Sequence, residues 1–541
     1  MSPDQVPTHL APILDRVAGV SIPVFSLKTE ENFGIGEILD LIPLIDWAAD
    51  HHLRLIQLLP LGETAPGESS PYQSLSGFAM DPIYLSVLDL PDFRGNDRAE
   101  RLFNDPSVQQ DLSRWRSSER IERGQIRLLK HRLLDLCFER YYREEWLRET
   151  PRAQALKVFV ASKAWMEDYA LFRLLKERFE WHYWLEWPPN FRDRDPRALR
   201  ELRQKEEKRL LKLKYFQWLI FEQWRIVLKR AGERGMSLMG DLPFLISRDS
   251  SDVWSDRGSF SLEDSVGAPP DFFSAEGQNW GLPVFRWGVM EKNGLAWWRL
   301  RMREARDLFS LLRLDHVVGF FRIWIFPAGG SPRFEPEEEG EQIRRGTQLL
   351  NAILEEAGGC IPVAEDLGVI PKFVRQTLQS FRIAGNKVFR WEKDEQGKYY
   401  DPAGYPFVSL ATTGTHDTST LAGWWADLTP EERAAVWEVL RADGDPAPAP
   451  EKFSEFLNER VLDRLLLAGS MIVLFPFQDL FGLKDQINIP ATIGPGNWSW
   501  RLQVDLKDLE RLPFYAARSR WLRDKIDFCG RSGLTHRAGD R

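Results

Sequence analysis

Short apolar runs recur along the chain, each followed by glycine, proline or polar residues and then by apolar positions spaced three and four apart. The runs have strand length and the spacing that follows them has helical period. They fall at Val20 to Leu27, Leu53 to Leu61, Ser237 to Ile246, Leu311 to Ile325, Ile361 to Leu367, Lys387 to Trp391, Phe407 to Thr412 and Met471 to Gln478. Strands that alternate with helices bury both faces of a parallel sheet, so eight such units predict an α/β fold, a (β/α)8 TIM barrel, spanning 1–541 as a single catalytic barrel chain. No internal repeat is visible at the level of sequence.

The second and third runs are separated by a long stretch, 92–234, rich in charge and in apolar positions at i, i+3 and i+4. It predicts a helical insertion between barrel strands 2 and 3. Within it, RELRQKEEKRLLKLK (Arg200 to Lys214) is basic, but Glu201, Glu206 and Glu207 interrupt the bases, which suits a solvated helix face better than a nucleic-acid patch. A second departure from plain barrel, 247–300, is expected to form an active-site loop and helical subdomain after barrel strand 3. DGDPAPAP (Asp443 to Pro450) is expected to be a proline-rich link between helices.

Composition narrows the functional classes. Lys and Arg number 72 against 80 Asp and Glu, a formal net charge of −8, so no global positive field invites nucleic acid or anionic lipid. The longest apolar run, around Leu465 to Phe477, is too short for a bilayer span, and the amino terminus lacks the basic and apolar regions of an export signal. Three cysteines, Cys137, Cys360 and Cys529, stand far apart and in no zinc spacing, which suits the reducing cytoplasm and implies neither disulfides nor a metal. The 22 Trp, 33 Phe and 11 Tyr are unusual because aromatic faces stack on sugar rings as readily as they fill cores.

The stretch LRLDHVVGF (Leu312 to Phe320) sharpens the picture, because Arg313, Asp315 and His316 interrupt a strand-like run where unpaired charge is costly to bury. In a barrel, reactive groups come from the carboxyl ends of strands. Asp315 in LRLDH, Glu365 in IPVAEDLG and Asp417 in TTGTHDT all follow apolar runs. Carboxylates so placed suit glycosidic chemistry, in which one attacks the anomeric carbon and another protonates the leaving oxygen. Each alone is equally consistent with a helix cap, and Asp241 in GDLPFLISRDSSDVW with an Asx turn. PPDFFSAEGQNWGLPVFRW (Pro269 to Trp287) is long, aromatic and punctuated by Gly and Pro, as loops overhanging a barrel mouth are.

Taken with NFGIGEILD, LPLGETAPGESSPYQSLSGFAMDPIYL, NKVFRW and TTGTHDTSTLAGWW, these segments make nearly the whole chain similar to the 4-α-glucanotransferases, or amylomaltases, of glycoside hydrolase family 77. The resemblance implies a (β/α)8 barrel with inserted, largely helical subdomains that passes a segment of an α-1,4-glucan donor to the 4-hydroxyl of glucose or a maltodextrin, without a cofactor or metal. It further implies Asp315 as nucleophile, Glu365 as general acid/base and Asp417 as the carboxylate that holds sugar hydroxyls. Arg313 matches the arginine that keeps the nucleophile ionised, His316 and His416 match sugar-contacting histidines, Tyr72 and Asp241 match residues beside the reacting sugar, and Trp280 matches the loop over the acceptor side. The chain departs from some relatives at Val317-Val318 and at Thr418-Ser419-Thr420. The carboxylates by themselves also allow a hydrolytic α-glucosidase or α-amylase, and an inherited barrel that only binds glucan would have lost one of them. No P-loop or complete dinucleotide fingerprint occurs.

Overall fold

The computed structural model describes residues 9–11, 14–270, 277–441, 446–490, 492 and 494–533. Eight parallel strands close a barrel in the order β1-β12-β11-β10-β9-β6-β3-β2. They are β1 (Val17–Ser21), β2 (Leu55–Gln57), β3 (Ser237–Leu242), β6 (Leu311–Leu314), β9 (Ile361–Ala364), β10 (Ala384–Val388), β11 (Ser409–Thr412) and β12 (Ile472–Pro476). A separate antiparallel sheet has the order β5-β4-β7-β8 and contains β4 (Phe260–Ala268), β5 (Gln278–Phe285), β7 (Ile323–Phe326) and β8 (Arg333–Glu335).

Every barrel strand lies in or beside one of the eight apolar runs, but three runs are read differently by the fold. The run at Val20 enters the barrel earlier, at Val17, and turns into a 3-10 helix at Val24–Ser26. The run at Lys387 likewise starts its strand at Ala384. Leu311 to Ile325 is not one strand: β6 ends at Leu314, a short helix covers Val318–Phe321, and β7 joins the other sheet. Gly319 lies within that short helix, where a Cβ would meet the Phe244 ring at 2.6 Å.

Strand side chains alternate between the lumen and the surrounding helices. Leu55, Met239, Leu311, Ile361, Val363, Ala384, Leu410, Ile472 and Leu474 pack together as one buried cluster inside the barrel. Two residues further along the same strands come Gln57, Asp241, Arg313, Glu365, Asn386 and Thr412. The period of two therefore carries an apolar plug directly into a polar layer at the carboxyl end.

The chain between β2 and β3 is helical from Asp97–Phe103 to the 27-residue helix Glu207–Glu233. Several of these helices start at a capping residue followed by proline: Asp105, Thr150 and Asp195 each accept a backbone N–H of the first turn. The basic segment at Arg200 is broken at Glu206 into two helices, and its bases pair with acids on neighbouring helices, Lys208 with Glu139 and Lys212 with Asp135. The segment 247–300 differs from the helical expectation, since β4 and β5 form an antiparallel pair within it. Part of the proline-rich link, Asp443 to Asp445, lies outside the described residues. Cys137, Cys360 and Cys529 are buried and unpaired. Among the described residues no helix is long and apolar enough to cross a membrane.

Candidate active site

Asp241 on β3 and Arg313 on β6 are register partners on adjacent parallel strands, so both point into the barrel at the same height. Arg313 Nη1 donates to the two Asp241 oxygens at 2.8 and 2.7 Å and to Asp315 Oδ1 at 2.9 Å. Its Nη2 lies 3.8 Å from Glu365 Oε2. One guanidinium thus faces three carboxylates, and its charge is kept: burial works against it, but Asp241 and the neighbouring acids outweigh burial and raise its pKa. Arginine suits this place because its fork presents several donors and stays charged when desolvated.

Asp315 and His316 follow the last residue of β6. The Asp315 N–H donates to Leu242 O at 3.2 Å, and the Phe244 N–H reaches Asp315 Oδ2 at 3.4 Å, which ties the carboxylate to the end of β3. His316 turns with φ +47°, in the left-handed region, and this turn aims its N–H at Glu365 Oε2, 2.6 Å away. Such a conformation is costly for a non-glycine residue and concentrates at working sites.

Glu365 sits just beyond β9 and its side chain is 16 % exposed. Burial drives its pKa up to about 8; Arg313 opposes this, and Asp315 adds to it. The carboxyl group is therefore protonated at neutral pH. Burial also raises Asp241, against the pull of Arg313.

Asp417 belongs to the rim. It follows β11 on a loop, its side chain is 44 % exposed, and it meets His416 Nε2 at 3.3 Å and the Asn488 side-chain N–H at 2.6 Å. Partial burial favours the neutral acid, but His416 and Asn488 outweigh it and hold the pKa down to about 2. The Tyr72 hydroxyl donates to Asp241 Oδ2 at 2.7 Å and lies 3.2 Å from His416 Nε2, joining inner layer and rim. The Tyr72 and His416 rings stack at 5.4 Å, with Trp498 against both.

These groups line one cavity of about 320 Å³, open to the barrel mouth. Trp280 forms its far wall and meets His316 edge-on at 5.3 Å. All nine residues singled out from sequence, Tyr72, Asp241, Trp280, Arg313, Asp315, His316, Glu365, His416 and Asp417, are brought together here. Trp280 stands on β5 rather than in a loop, and its neighbours Phe272 and Phe273 lie outside the described residues. The departure at Thr418-Ser419 is accommodated locally, since Thr418 closes a turn on Thr415 and Ser419 accepts from Arg390 at 3.2 Å. Sequence reasoning missed Phe244, Asn488 and Trp498. The aromatic, glycine-bearing stretch GNWSW after the last barrel strand was the available signal for Trp498.

A family model described as 4-alpha-glucanotransferase, glycoside hydrolase family 77, matches residues 22–507. The chain belongs to this 4-alpha-glucanotransferase family. It is 35 % identical to the 4-alpha-glucanotransferase of Chlamydia trachomatis serovar D over 91 % of this chain and 92 % of that one. It is 33 % identical to that of Thermus thermophilus over 83 % and 87 % of the two chains. The structure of an amylomaltase from Streptococcus agalactiae in complex with acarbose superposes with a TM-score of 0.79 at 26 % identity, covering 95 % of this chain and 99 % of that one. The 4-alpha-glucanotransferases are enzymes, and this chain is an enzyme of that family with the family's barrel. Among its described residues no group of three or more His, Cys, Asp or Glu is placed to hold a metal ion.

Proposed function

We propose that this 4-alpha-glucanotransferase works by retaining double displacement, taking maltodextrin-type α-1,4-glucans as donors and glucose or another glucan as acceptor in cytoplasmic glucan metabolism. The observation that carries the reading is the placement of two carboxyl groups around Arg313. Asp315 accepts a hydrogen bond from the arginine at 2.9 Å, while burial lifts Glu365, 3.8 Å from the same guanidinium, to about 8.

In the first step an Asp315 oxygen attacks the anomeric carbon as the glycosidic C–O bond breaks, and the Glu365 proton passes to the leaving oxygen. Glu365 is then a carboxylate. In the second step it takes the proton of the incoming 4-hydroxyl, whose oxygen displaces Asp315 and restores the free enzyme. Asp417, ionised and fixed by Asn488, and His416 are assigned to sugar hydroxyls, and Tyr72, anchored on the buried Asp241, lines the cavity beside them. The cavity volume of about 320 Å³ falls in the range for small-molecule sites.

Intact-protein mass spectrometry with an α-glycosyl fluoride tests this. Fluoride leaves without protonation, so Glu365→Gln should accumulate a glycosyl adduct, because no base remains to activate the acceptor. Asp315→Asn should form none. An adduct on Asp315→Asn alone would reverse the two roles, and an inverted anomeric product would end the covalent mechanism. Incubation with maltotriose should give glucose plus a ladder of longer maltodextrins; shorter sugars only would make water the acceptor.

A further inference from the structure

Tyr72 stands at the tip of a long loop, Leu61 to Asp81, whose two legs run side by side. Asp81 N–H donates to Leu61 O at 2.8 Å, and bridges join Gly62 to Met80 and Thr64 to Ser74. The legs are so close at Gly62 that a Cβ there would lie 2.7 Å from the Ser74 Cβ. Each leg carries a buried carboxylate, Glu63 and Asp81, both about 1 % exposed. Neither touches the active-site groups.

Asp81 accepts locally from the N–H groups of Thr64 and Ile83, and the charged partners of both carboxylates come from the helical insertion. Arg127, on helix Arg123–Tyr141, grips Asp81 with two parallel bonds of 2.9 and 2.8 Å and reaches Thr64 Oγ1 at 3.1 Å. On helix Met166–Arg178, Arg173 Nε donates to Glu63 at 2.7 Å and the Tyr169 hydroxyl donates to its other oxygen. On helix Glu207–Glu233, the Gln217 amide bonds both the N–H and the C=O of Met80, at 3.1 and 2.8 Å. All four partners are buried. Arg173 also pairs with Glu177 at 3.1 Å, and the bidentate Arg127–Asp81 pair fixes direction as well as distance.

An apolar contact would bury these helices against the loop just as well, but it would tolerate sliding. Directional hydrogen bonds at three points, two of them charged, do not. Resting on the reading of Tyr72 as a site residue, we propose that the insertion is the positioning device for the Tyr72 loop, with Arg127, Tyr169, Arg173 and Gln217 as positioning residues that hold the tyrosine at Asp241 and His416 before substrate arrives. The dependence is one of placement, which at reacting centres is steep: a displacement of about 1 Å costs about a hundred-fold in rate.

Two measurements on the full-length protein separate clamp from general stability. Tyr169→Phe removes the hydroxyl that donates to Glu63 and accepts from the Gln217 amide, at nearly constant shape, and Gln217→Met removes both bonds to Met80 without unpairing a charge. Both should speed hydrogen exchange in the peptides covering 62–80 while barrel strands stay protected; unchanged exchange in that loop overturns the clamp. In a double-mutant cycle, Tyr169→Phe should lower kcat/KM for maltotriose by about ten-fold in the native background, but by less than about two-fold once Tyr72→Phe has removed the group being positioned. Equal losses in both backgrounds overturn a route through Tyr72. If Tyr72→Phe by itself costs nothing, the assignment of Tyr72 to the site falls, and the exchange result still decides whether the insertion holds the loop.

Discussion

Glu365 and Asp417 line the same cavity and titrate in opposite directions. Glu365 stands on the barrel wall, 16 % exposed, with one backbone N–H and a shared arginine as its support, and burial lifts it to about 8. Asp417 stands on the rim, 44 % exposed, where His416 and Asn488 overcome the effect of burial and hold it at about 2. The difference is one of depth and partners rather than residue type, and it sets one carboxyl group high and the other low on one barrel mouth, as the proposed mechanism requires of a proton donor and a fixed anion.

The largest expected effect comes from removing the group that lets three acids share the inner wall. Arg313→Met leaves Asp241, Asp315 and Glu365 facing one another without a cation, and turnover of maltotriose should fall by about 10²–10³-fold. Arg313→Lys should recover little, since one ammonium cannot reproduce bonds to both Asp241 and Asp315. A loss below ten-fold in a variant that melts like the native protein would mean the inner acids do not need the arginine. The rim should respond far less, the acid limb set by Asp417 moving up only slightly, since Arg313 acts on it more weakly than His416 and Asn488.

The next effect is on pH. If Glu365 must enter the first step protonated, kcat/KM for maltotriose should decline as pH rises through about 8, while glycosylation by an α-glycosyl fluoride should show no such decline. Stability follows the same group with a definite sign. Its folded pKa is raised above an unfolded value near 4.5, so the folded state holds the extra proton between about pH 4.5 and 8, and stability from this group is lost as pH rises through that window. Glu365→Gln should therefore gain on the native protein from pH 5 to pH 9 in denaturant midpoint. Asp417 acts oppositely: its folded pKa is depressed, and its contribution disappears only as pH falls from about 4 towards 2. A flat difference for Glu365→Gln would erase the contrast between wall and rim.

Wall and rim also differ in how far the sequence discloses them. The wall was legible because a strand of period two puts Met239 and Asp241, Leu311 and Arg313, or Val363 and Glu365 on one face, so an apolar run that ends in charge marks a barrel mouth. Asp417 stood out only as a carboxylate after an apolar run, with no period to show that it lies on a loop at the rim, and His416 was named only through motif resemblance. Asn488 and Trp498 follow the last strand in a stretch without a readable period, and were missed. The antiparallel sheet was invisible for a related reason: β4 carries polar residues along much of its length and β5 holds a glycine and a proline, so neither alternates cleanly. The single run from Leu311 to Ile325 was misread because apolar residues continue across a turn and a short helix that His316 opens with a positive φ.

A smaller effect should follow from the rim. Asn488→Ala removes the 2.6 Å bond to Asp417 and with it part of what keeps that carboxyl low. Hydrogen bonds to charged groups are worth about 1.5–3 kcal/mol, less where water replaces the partner, as it does at a half-exposed site. The acid limb of kcat/KM should move upward, and activity should fall by more at pH 3 than at pH 8. An acid limb that stays in place would show that His416 alone governs Asp417.

The smallest change in rate, and the most specific in kind, is expected at Trp280. Its ring closes the cavity opposite the rim, edge-on to His316 at 5.3 Å, and it stands on a strand of the antiparallel sheet rather than on a free loop. A wall fixed by a sheet is preorganised, so it shields the glycosyl-enzyme at no ordering cost when acceptor binds. The transfer step then depends on a sugar hydroxyl reaching the anomeric carbon before water does. Trp280→Ala opens that wall without touching Asp315, Glu365 or Arg313, so formation of the intermediate should change little. The partition should shift: the ratio of reducing-end release to ladder products from maltotriose should rise several-fold, which needs only about 1 kcal/mol of lost discrimination. Trp280→Phe, which keeps an aromatic face, should restore most of it. If the ratio is unchanged while the variant melts like the native protein, water exclusion belongs to other parts of the mouth, and the sheet serves only to brace His316.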